Sequence, residues 1–176
     1  MLTTLIAAAI VGIPQEANYP PYIKDKELYA ENDLRGKEAP KLVVETWMSG
    51  AAPKLEGKVV LYDFWATWCG PCRKSIPELN EWAEKFHRDL VVIGITDEPV
   101  GTVKGFMNST AMKYPVAIDS EKRMSKQIGV RGIPHVLVVT PDGIVRWQGF
   151  PGAAEDKLDT KKLEQIIAAW KSSSKA

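Results

Sequence analysis

The sequence has little cysteine, little histidine and almost no net charge. Only two of its 176 residues are cysteines and only two are histidines. A small secreted domain held together by disulfides would carry more cysteine, so this fold must rest on its apolar core. The formal net charge is +1, which gives no electrostatic reason to expect nucleic acid or an acidic membrane surface as a partner.

The N-terminus begins with an apolar stretch, Leu2–Ile13. It is long enough for the hydrophobic region of a signal peptide and too short to span a bilayer by itself. It lacks the usual basic start, because the first lysine is Lys24. We favour export and predict an extracytoplasmic location, periplasmic or secreted. A cytoplasmic protein with a packed apolar arm is the alternative, and we expect membrane contact only if this segment is an anchor.

The chain divides into an apolar segment with an irregular lead-in (1–39), a domain (40–171) and a flexible tail (172–176). Within the domain, strand patterns first alternate with helical ones, and a hairpin and a last helix follow. This order predicts an α/β domain with a mixed central sheet flanked by helices. The predicted strands cover residues 41–47, 57–65, 90–96, 115–119, 134–140 and 144–150, and the predicted helices cover residues 73–89, 100–114, 120–129 and 160–171.

Both cysteines lie in one stretch, "DFWATWCGPCRKSIP", residues 63–77. A zinc site needs four ligands, and beyond Cys69 and Cys72 only His87 and His135 remain, far apart in the sequence. We therefore expect no metal. A purely structural disulfide also fits poorly, because so short a loop constrains little of the unfolded chain.

The position of the pair, between a buried strand and a helix, favours redox chemistry instead. The first cysteine there faces unpaired backbone N–H groups and the positive end of the helix dipole, which stabilise a thiolate. Gly70 permits the tight entry, and Pro71 suits an opening helical turn. These features predict an exposed nucleophile at Cys69 and a shielded resolving thiol at Cys72.

The resolving thiol must lose a proton before it can attack. Asp63 lies six residues before Cys69, on the same strand face as Leu61. A buried carboxylate with a raised pKa is suited to accept that proton, directly or through water. A structural carboxylate is the alternative, but an aspartate in "VVLYDFW" is costly enough to favour a function.

The stretches "DFWATWCGPC" and "VRGIPHVLVVTPDGIV" resemble thioredoxin. The lead "GKEAPKLVVETWMSG" and the insert at 97–119 resemble the TlpA/ResA-like thiol–disulfide oxidoreductases, which act outside the cytoplasm. The resemblance covers about residues 38–171. It implies a thioredoxin fold with an N-terminal extension and an insert before the half that holds the cis-proline. It also implies that Cys69 and Cys72 are the redox pair, that Asp63 is the buried aspartate, and that Pro134 is the cis-proline facing the disulfide.

The segment at residues 132–134, here called the proline loop, adds candidate substrate contacts. A cis bond before Pro134 would leave the Ile133 backbone free to pair with an extended substrate segment. We expect Trp68 to flank Cys69 as an apolar contact surface. His135 replaces a thioredoxin threonine. As an imidazolium facing Cys69 it would favour the thiolate, and the alternative is a side chain turned to solvent.

A second departure from thioredoxin concerns the buried aspartate. Thioredoxin has a lysine near that residue, where this sequence has Gly94. Asp63 is therefore expected to lack that partner, which leaves the reduction potential open.

The sequence thus predicts a protein-disulfide reductase that cycles between a Cys69/Cys72 dithiol and its disulfide. We see no nucleotide or flavin motif, so we expect no cofactor and infer an upstream protein as electron donor. We also expect a monomer. One alternative is a thiol peroxidase, although Thr67 stands at the wrong offset from Cys69 for the peroxidatic motif. Another is a binding or assembly module whose C-x-x-C is incidental.

Overall fold

A six-stranded mixed sheet forms the centre of the molecule, which the computed structural model describes for residues 18–174. The strand order is β1-β4-β3-β2-β5-β6. Strands β2, β3 and β4 run parallel, and the other pairings are antiparallel. The strands are β1 (Thr46–Trp47), β2 (Val59–Phe64), β3 (Leu90–Thr96), β4 (Val116–Ile118), β5 (His135–Val139) and β6 (Val145–Gly149).

Within residues 18–174, four α-helices and a short 3₁₀ helix accompany the sheet. They are α1 (Gly70–Lys85), α2 (Val100–Met107), α3 (Arg123–Ile128), the 3₁₀ helix (Ala154–Asp156) and α4 (Thr160–Ser173). The α/β layered architecture predicted from the order of elements is confirmed. The apolar segment Leu2–Ile13 lies outside the described residues. No helix within residues 18–174 has the length and apolar character needed to cross a membrane.

The sheet separates two core layers, and β2 contributes to both because successive side chains of a strand point to opposite faces. Leu61 packs with both cysteines and with buried residues of α1, α2 and α4. We call this side the cysteine face. Tyr62 and Phe64 lie on the opposite face, where α3 and the lead-in cover the sheet. All six residues of β2 are buried, which explains the unbroken apolar pattern of a central strand.

Some predicted elements are shorter in the structure. Strand β1 has two residues instead of seven, although Leu42 and Val44 still pack against the opposite face. Helix α2 ends at Met107. Helix α3 begins at Arg123 rather than at residue 120, because Asp119 forms a turn and accepts the backbone N–H of Met124 at 3.0 Å. Helix α4 continues two residues into the predicted tail.

Candidate active site

Cys69 and Cys72 form a disulfide at the start of α1. Cys69 is the N-cap residue, and its Sγ accepts the backbone N–H of Cys72 at 3.2 Å. Pro71 occupies the first helical turn, where its missing N–H leaves no intrahelical bond unmade. Reduction of the disulfide would therefore leave the Cys69 sulfur beside a helix N-terminus, a position that stabilises a thiolate.

Cys69 is much less exposed in the disulfide form than the sequence predicted. Cys69 is only 4% exposed, compared with 1% for Cys72. The proline loop contributes to this cover, because the Ile133 carbonyl oxygen lies 3.7 Å from the Cys69 Sγ. Gly70 and Pro71 are exposed beside the disulfide. The exposed Gly70 and Pro71 therefore give a substrate one route toward the sulfur.

Asp63 lies in the middle of the sheet, opposite Gly94 on β3 and opposite Val136 on β5. It is 1% exposed, and no described residue donates a hydrogen bond to its Oδ1. Burial raises its pKa from 3.8 to about 7. A carboxyl with that pKa exchanges its proton near neutral pH, which suits an acid–base role. Gly94, which stands where thioredoxin has a lysine, lies opposite Asp63 in the sheet. Asp63 therefore lacks that lysine as a partner, as the sequence predicted.

The loop before β5 brings the proline to the disulfide. The Ile133–Pro134 peptide bond is cis, as the sequence predicted. Ile133 is half-buried, and its backbone N–H takes part in none of the loop and turn hydrogen bonds found among residues 18–174. Its side chain and Gly132 line an apolar pocket of about 290 Å³, together with Tyr29 and Phe150.

A groove is lined in part by Trp68. Trp68 is 74% exposed, which agrees with the predicted contact surface. The groove has a volume of about 350 Å³ and also borders Ile133. The ion pair between Lys122 and Asp97, 3.0 Å apart, lies at its edge. The apolar pocket and the groove of mixed polarity thus share Ile133, whose carbonyl oxygen lies beside the Cys69 Sγ.

His135 does not contact the disulfide, and both predicted placements of its side chain are wrong. It pairs with Phe64 across β2 and β5, so its side chain lies on the opposite face of the sheet. It is fully buried, and its Nε2 lies 3.3 Å from the Nε2 of Gln148. Burial lowers its pKa to about 4, so the ring is neutral at physiological pH. An imidazolium beside Cys69 and a solvated side chain are both excluded.

Sequence reasoning missed Glu98, which supports the turn before the cysteines. Its carboxylate accepts the Thr67 backbone N–H and the Thr67 hydroxyl, each at 2.7 Å. It also accepts the Thr96 hydroxyl at 3.3 Å. These bonds tie the end of β3 to the turn that carries Trp68. The only available indication was an acidic residue close behind a buried strand.

Tyr29 and Phe150 were also missed. Tyr29 belongs to the lead-in, and its carbonyl oxygen accepts the Arg131 backbone N–H at 2.8 Å. Its ring centroid lies 6.3 Å from that of Phe150. Both residues border the pocket beside Ile133, although they stand far apart in the sequence. A spacing argument could not have brought them together.

Comparisons with known proteins agree with this geometry. Residues 36–148 match the AhpC/TSA family. The chain is 35% identical over 164 residues to "Thiol-disulfide oxidoreductase ResA" of Bacillus thuringiensis (strain Al Hakam), covering 90% of each chain. It is 30% identical over 174 residues to "Thiol:disulfide interchange protein HelX" of Rhodobacter capsulatus, covering 95% of this chain and 94% of that protein.

A solved structure shows the same fold. It is the crystal structure of a putative "Thiol:disulfide interchange protein DsbE" from Chlorobium tepidum, with a TM-score of 0.64 and 30% sequence identity. The match covers 77% of this chain and 97% of that one. The thioredoxin fold predicted from the sequence is therefore confirmed.

Proposed function

We propose a function from one premise: the chain belongs to the AhpC/TSA family and is a thiol–disulfide oxidoreductase. Proteins with disulfides are its class of substrate. Our proposal concerns the direction and the residues: the chain reduces protein disulfides, with Cys69 as nucleophile and Cys72 as resolving thiol. The observation that carries it is the Cys69–Cys72 disulfide, whose first sulfur caps α1 and lies beside the cis-proline loop.

The reaction consists of two exchanges. The Cys69 thiolate attacks one sulfur of a substrate disulfide, and the other substrate sulfur leaves as a thiolate. Cys72 then loses its proton and attacks the Cys69 sulfur, which releases the second substrate thiolate. Two electrons pass from the dithiol to the substrate, and the protein ends as the disulfide that the structure contains.

Asp63 is the proton acceptor for Cys72 in this proposal. Its pKa of about 7 leaves a substantial fraction of the carboxyl charged at neutral pH, ready to accept a proton. It also lies on the face of the sheet where Cys72 is buried. The proton that it gains returns to solvent or to the leaving thiolate when the cycle closes.

The substrate segment pairs with the free backbone of Ile133 and contacts Trp68, with Gly70 and Pro71 giving it access to the sulfur. The exposure of Trp68 and the unpaired Ile133 amide support this placement. An upstream protein supplies the electrons for the next cycle. We further propose that the protein works as a monomer.

Insulin reduction by dithiothreitol tests the proposal. The wild-type protein should accelerate it through many turnovers. Cys69→Ser should be inactive. Cys72→Ser, once reduced and freed of dithiothreitol, should stop as a mixed disulfide with insulin that can be isolated on a non-reducing gel, because excess dithiothreitol would cleave that bond. Turnover by Cys69→Ser, or trapping through Cys72 in that variant, would contradict the assigned roles.

The extracytoplasmic location is a separate part of the proposal. The apolar segment Leu2–Ile13 supports it, as a hydrophobic region of the length used in export signals. Residues 1–30 fused to a reporter that works only outside the cytoplasm should give activity. Loss of activity after replacing two leucine or isoleucine residues by lysine serves as the control, and a silent wild-type fusion contradicts export but not the thiol chemistry.

A further inference from the structure

Four buried side chains on the cysteine face each have a polar atom without a hydrogen-bond partner among the described residues, and three of the four adjoin Gly94 while Trp147 lies apart on β6. The atoms of these three are the Asp63 Oδ1, the Trp65 Nε1 and the Tyr114 hydroxyl oxygen. Asp63 is 1%, Trp65 2% and Tyr114 4% exposed. An unpaired buried polar group costs about 1–3 kcal/mol, so a group of three requires an explanation.

All three side chains surround Gly94. Gly94 pairs with Asp63 across β2 and β3, and its N–H donates to the Pro115 carbonyl at 2.9 Å, next to Tyr114. A Cβ added to Gly94 would lie 2.9 Å from the Trp65 Nε1 and 3.2 Å from the Tyr114 Cε2. The absent side chain thus lets the indole and the phenol approach the strand position beside the carboxyl.

The chemistry of the three groups is complementary. The indole N–H and the phenol hydroxyl are donors, and a charged carboxylate is an acceptor only. Hydrogen bonds to a carboxylate favour its charged form and therefore oppose the effect of burial on its pKa. A carboxylate that must accept a proton benefits from such donors, because they keep part of it charged at neutral pH.

We propose that Tyr114 is a positioning residue for Asp63: the Tyr114 hydroxyl donates a hydrogen bond to one bound water, which in turn donates to the charged Asp63 carboxylate. The Trp65 indole N–H is the second donor to the same site. These two donors would serve the carboxylate in place of the lysine that thioredoxin has at the position of Gly94. The inference rests on the proposed role of Asp63 as the proton acceptor for Cys72.

Few other titratable groups face this site. Among the described residues of the cysteine-face core, they are the thiols of Cys69 and Cys72 on the α1 side and Tyr114 before β4. Strand β3 contributes Gly94 and strand β5 contributes Val136, neither of which titrates. Burial, with a smaller effect from the Asp63 charge, raises the pKa of Tyr114 well above its usual value of 10.0. The phenol therefore stays protonated, as a donor, throughout the working pH range.

The experiment measures the Asp63 pKa directly. In the oxidised protein neither cysteine titrates, so ¹³C NMR of the labelled Asp63 carboxyl reports this group without interference from the thiols. Tyr114→Phe removes only the hydroxyl and should raise the Asp63 pKa by about one unit or more, the effect of losing one hydrogen bond to a charged group. Tyr62→Phe is the matched control, because Tyr62 is buried next to Asp63 in sequence but lies on the opposite face.

Kinetics supply the second measurement. The rate at which Cys72 resolves a mixed disulfide should fall at low pH, where Asp63 is protonated. In Tyr114→Phe the pH of this fall should rise by the same amount as the Asp63 pKa, and resolution below that pH should be about tenfold slower than in the wild-type protein. An Asp63 pKa equal to that of the Tyr62→Phe control would overturn the inference. A uniform loss of rate without a shift in pH dependence would also overturn it, because it would mark Tyr114 as structural.

The failure of this inference is distinguishable from that of the proposed function. If Asp63→Asn resolves mixed disulfides at the wild-type rate, Asp63 is not the proton acceptor and both proposals fail. If Asp63→Asn is slow and Tyr114→Phe keeps the wild-type Asp63 pKa, only the role of Tyr114 fails. Thermal unfolding of each variant establishes that the fold is intact.

Discussion

Asp63 and His135 are buried on opposite faces of the central sheet, and burial shifts their pKa values in opposite directions. Asp63 on the cysteine face and His135 on the opposite face are almost adjacent, because Asp63 pairs with Val136 and Phe64 pairs with His135. Burial disfavours the charged form of both. It raises the pKa of Asp63 to about 7 and lowers that of His135 to about 4.

The comparison teaches that the face of the sheet and the shifted pKa decide whether a buried group is placed for proton exchange with the thiols, more than its residue type does. Histidine is the usual proton carrier near neutral pH, yet this one is neutral throughout that range and shares no face with the thiols. Aspartate is ordinarily charged, yet this one changes charge near neutrality. The three predictions that follow test this contrast in order of expected effect.

The largest effect is expected from Asp63→Asn. Below pH 3.8 the carboxyl is protonated in both folded and unfolded chains, and between 3.8 and about 7 only the unfolded chain loses its proton. Stability of the wild-type protein should therefore fall as pH rises from 4 to 8, by about 4 kcal/mol from this group. Asp63→Asn should remove that fall and slow the resolution of mixed disulfides about 10²-fold at neutral pH. Urea unfolding of the oxidised protein at both pH values measures the first effect, and stopped-flow kinetics the second.

Asp119→Asn is the matched control for stability. Asp119 is 2% exposed, similar to Asp63, but it accepts hydrogen bonds from the Met124 backbone N–H and from Arg123. Its replacement should destabilise the protein without removing the fall from pH 4 to 8. An unchanged pH dependence in Asp63→Asn would show that the buried carboxyl is not the source of it.

An intermediate effect is expected from His135→Thr. The smaller side chain leaves space beside Phe64 and loses the contact with Gln148, which should cost about 2 kcal/mol at neutral pH. His135 by itself should cost the protein about 3 kcal/mol of folding stability as pH falls from 6.5 to 4, where the unfolded chain protonates first. Asp63 contributes an opposite change over the same range, so the loss is measured as the difference between the wild-type and His135→Thr stability curves. The Cys69 pKa, measured from the pH dependence of alkylation, should stay at its wild-type value. A rise in that pKa would restore an electrostatic role for His135.

The smallest effect on stability is expected from Trp68→Ala. Trp68 contributes little to folding because 74% of its surface is exposed. Its replacement should therefore change the free energy of unfolding by about 0.5 kcal/mol or less. The KM for a protein disulfide should rise several-fold, while reduction by a small thiol stays unchanged. Val43→Ala is the control, since Val43 is also exposed but lines neither the pocket nor the groove beside the disulfide. An equal KM in both variants would remove Trp68 from the substrate surface.

The sequence was sufficient for the features that depend on local pattern. The apolar runs of β2 and β3, the amphipathic α1 and the Pro-Asp-Gly turn each follow from neighbouring residues, and the structure contains them all. Asp63 was predicted to be buried for the same reason, since an acidic residue in an unbroken apolar strand has no route to solvent. Resemblance to thioredoxin added the cis bond before Pro134.

The features that depend on register and packing could not be predicted. His135 follows Pro134 in the sequence, but strand alternation turns its side chain away from the disulfide. The cover over Cys69 comes from Ile133, whose position is set by the pairing of β5 with β2. Glu98 reaches the site because it follows β3, which pairs with β2, and Tyr114 reaches it because β4 begins opposite Gly94 of β3. No spacing within one segment contains that information.

The buried ion pair between Lys26 and Asp156 fastens the lead-in to the rest of the molecule. The Lys26 side chain is 1% exposed, and its Nζ lies 4.1 Å from the centroid of the Trp147 ring. Separation would remove one of the two ammonium groups that the buried Asp156 binds, since Lys162 is the other, and it would therefore cost free energy. In terms of native-state hydrogen exchange, the Glu31 amide, bonded to the Gly129 carbonyl at 2.9 Å, should therefore exchange with the core rather than as a fraying terminus. We therefore expect the lead-in and the proline loop to unfold together as one cooperative unit. Tyr29 should then leave the pocket only when the core itself unfolds.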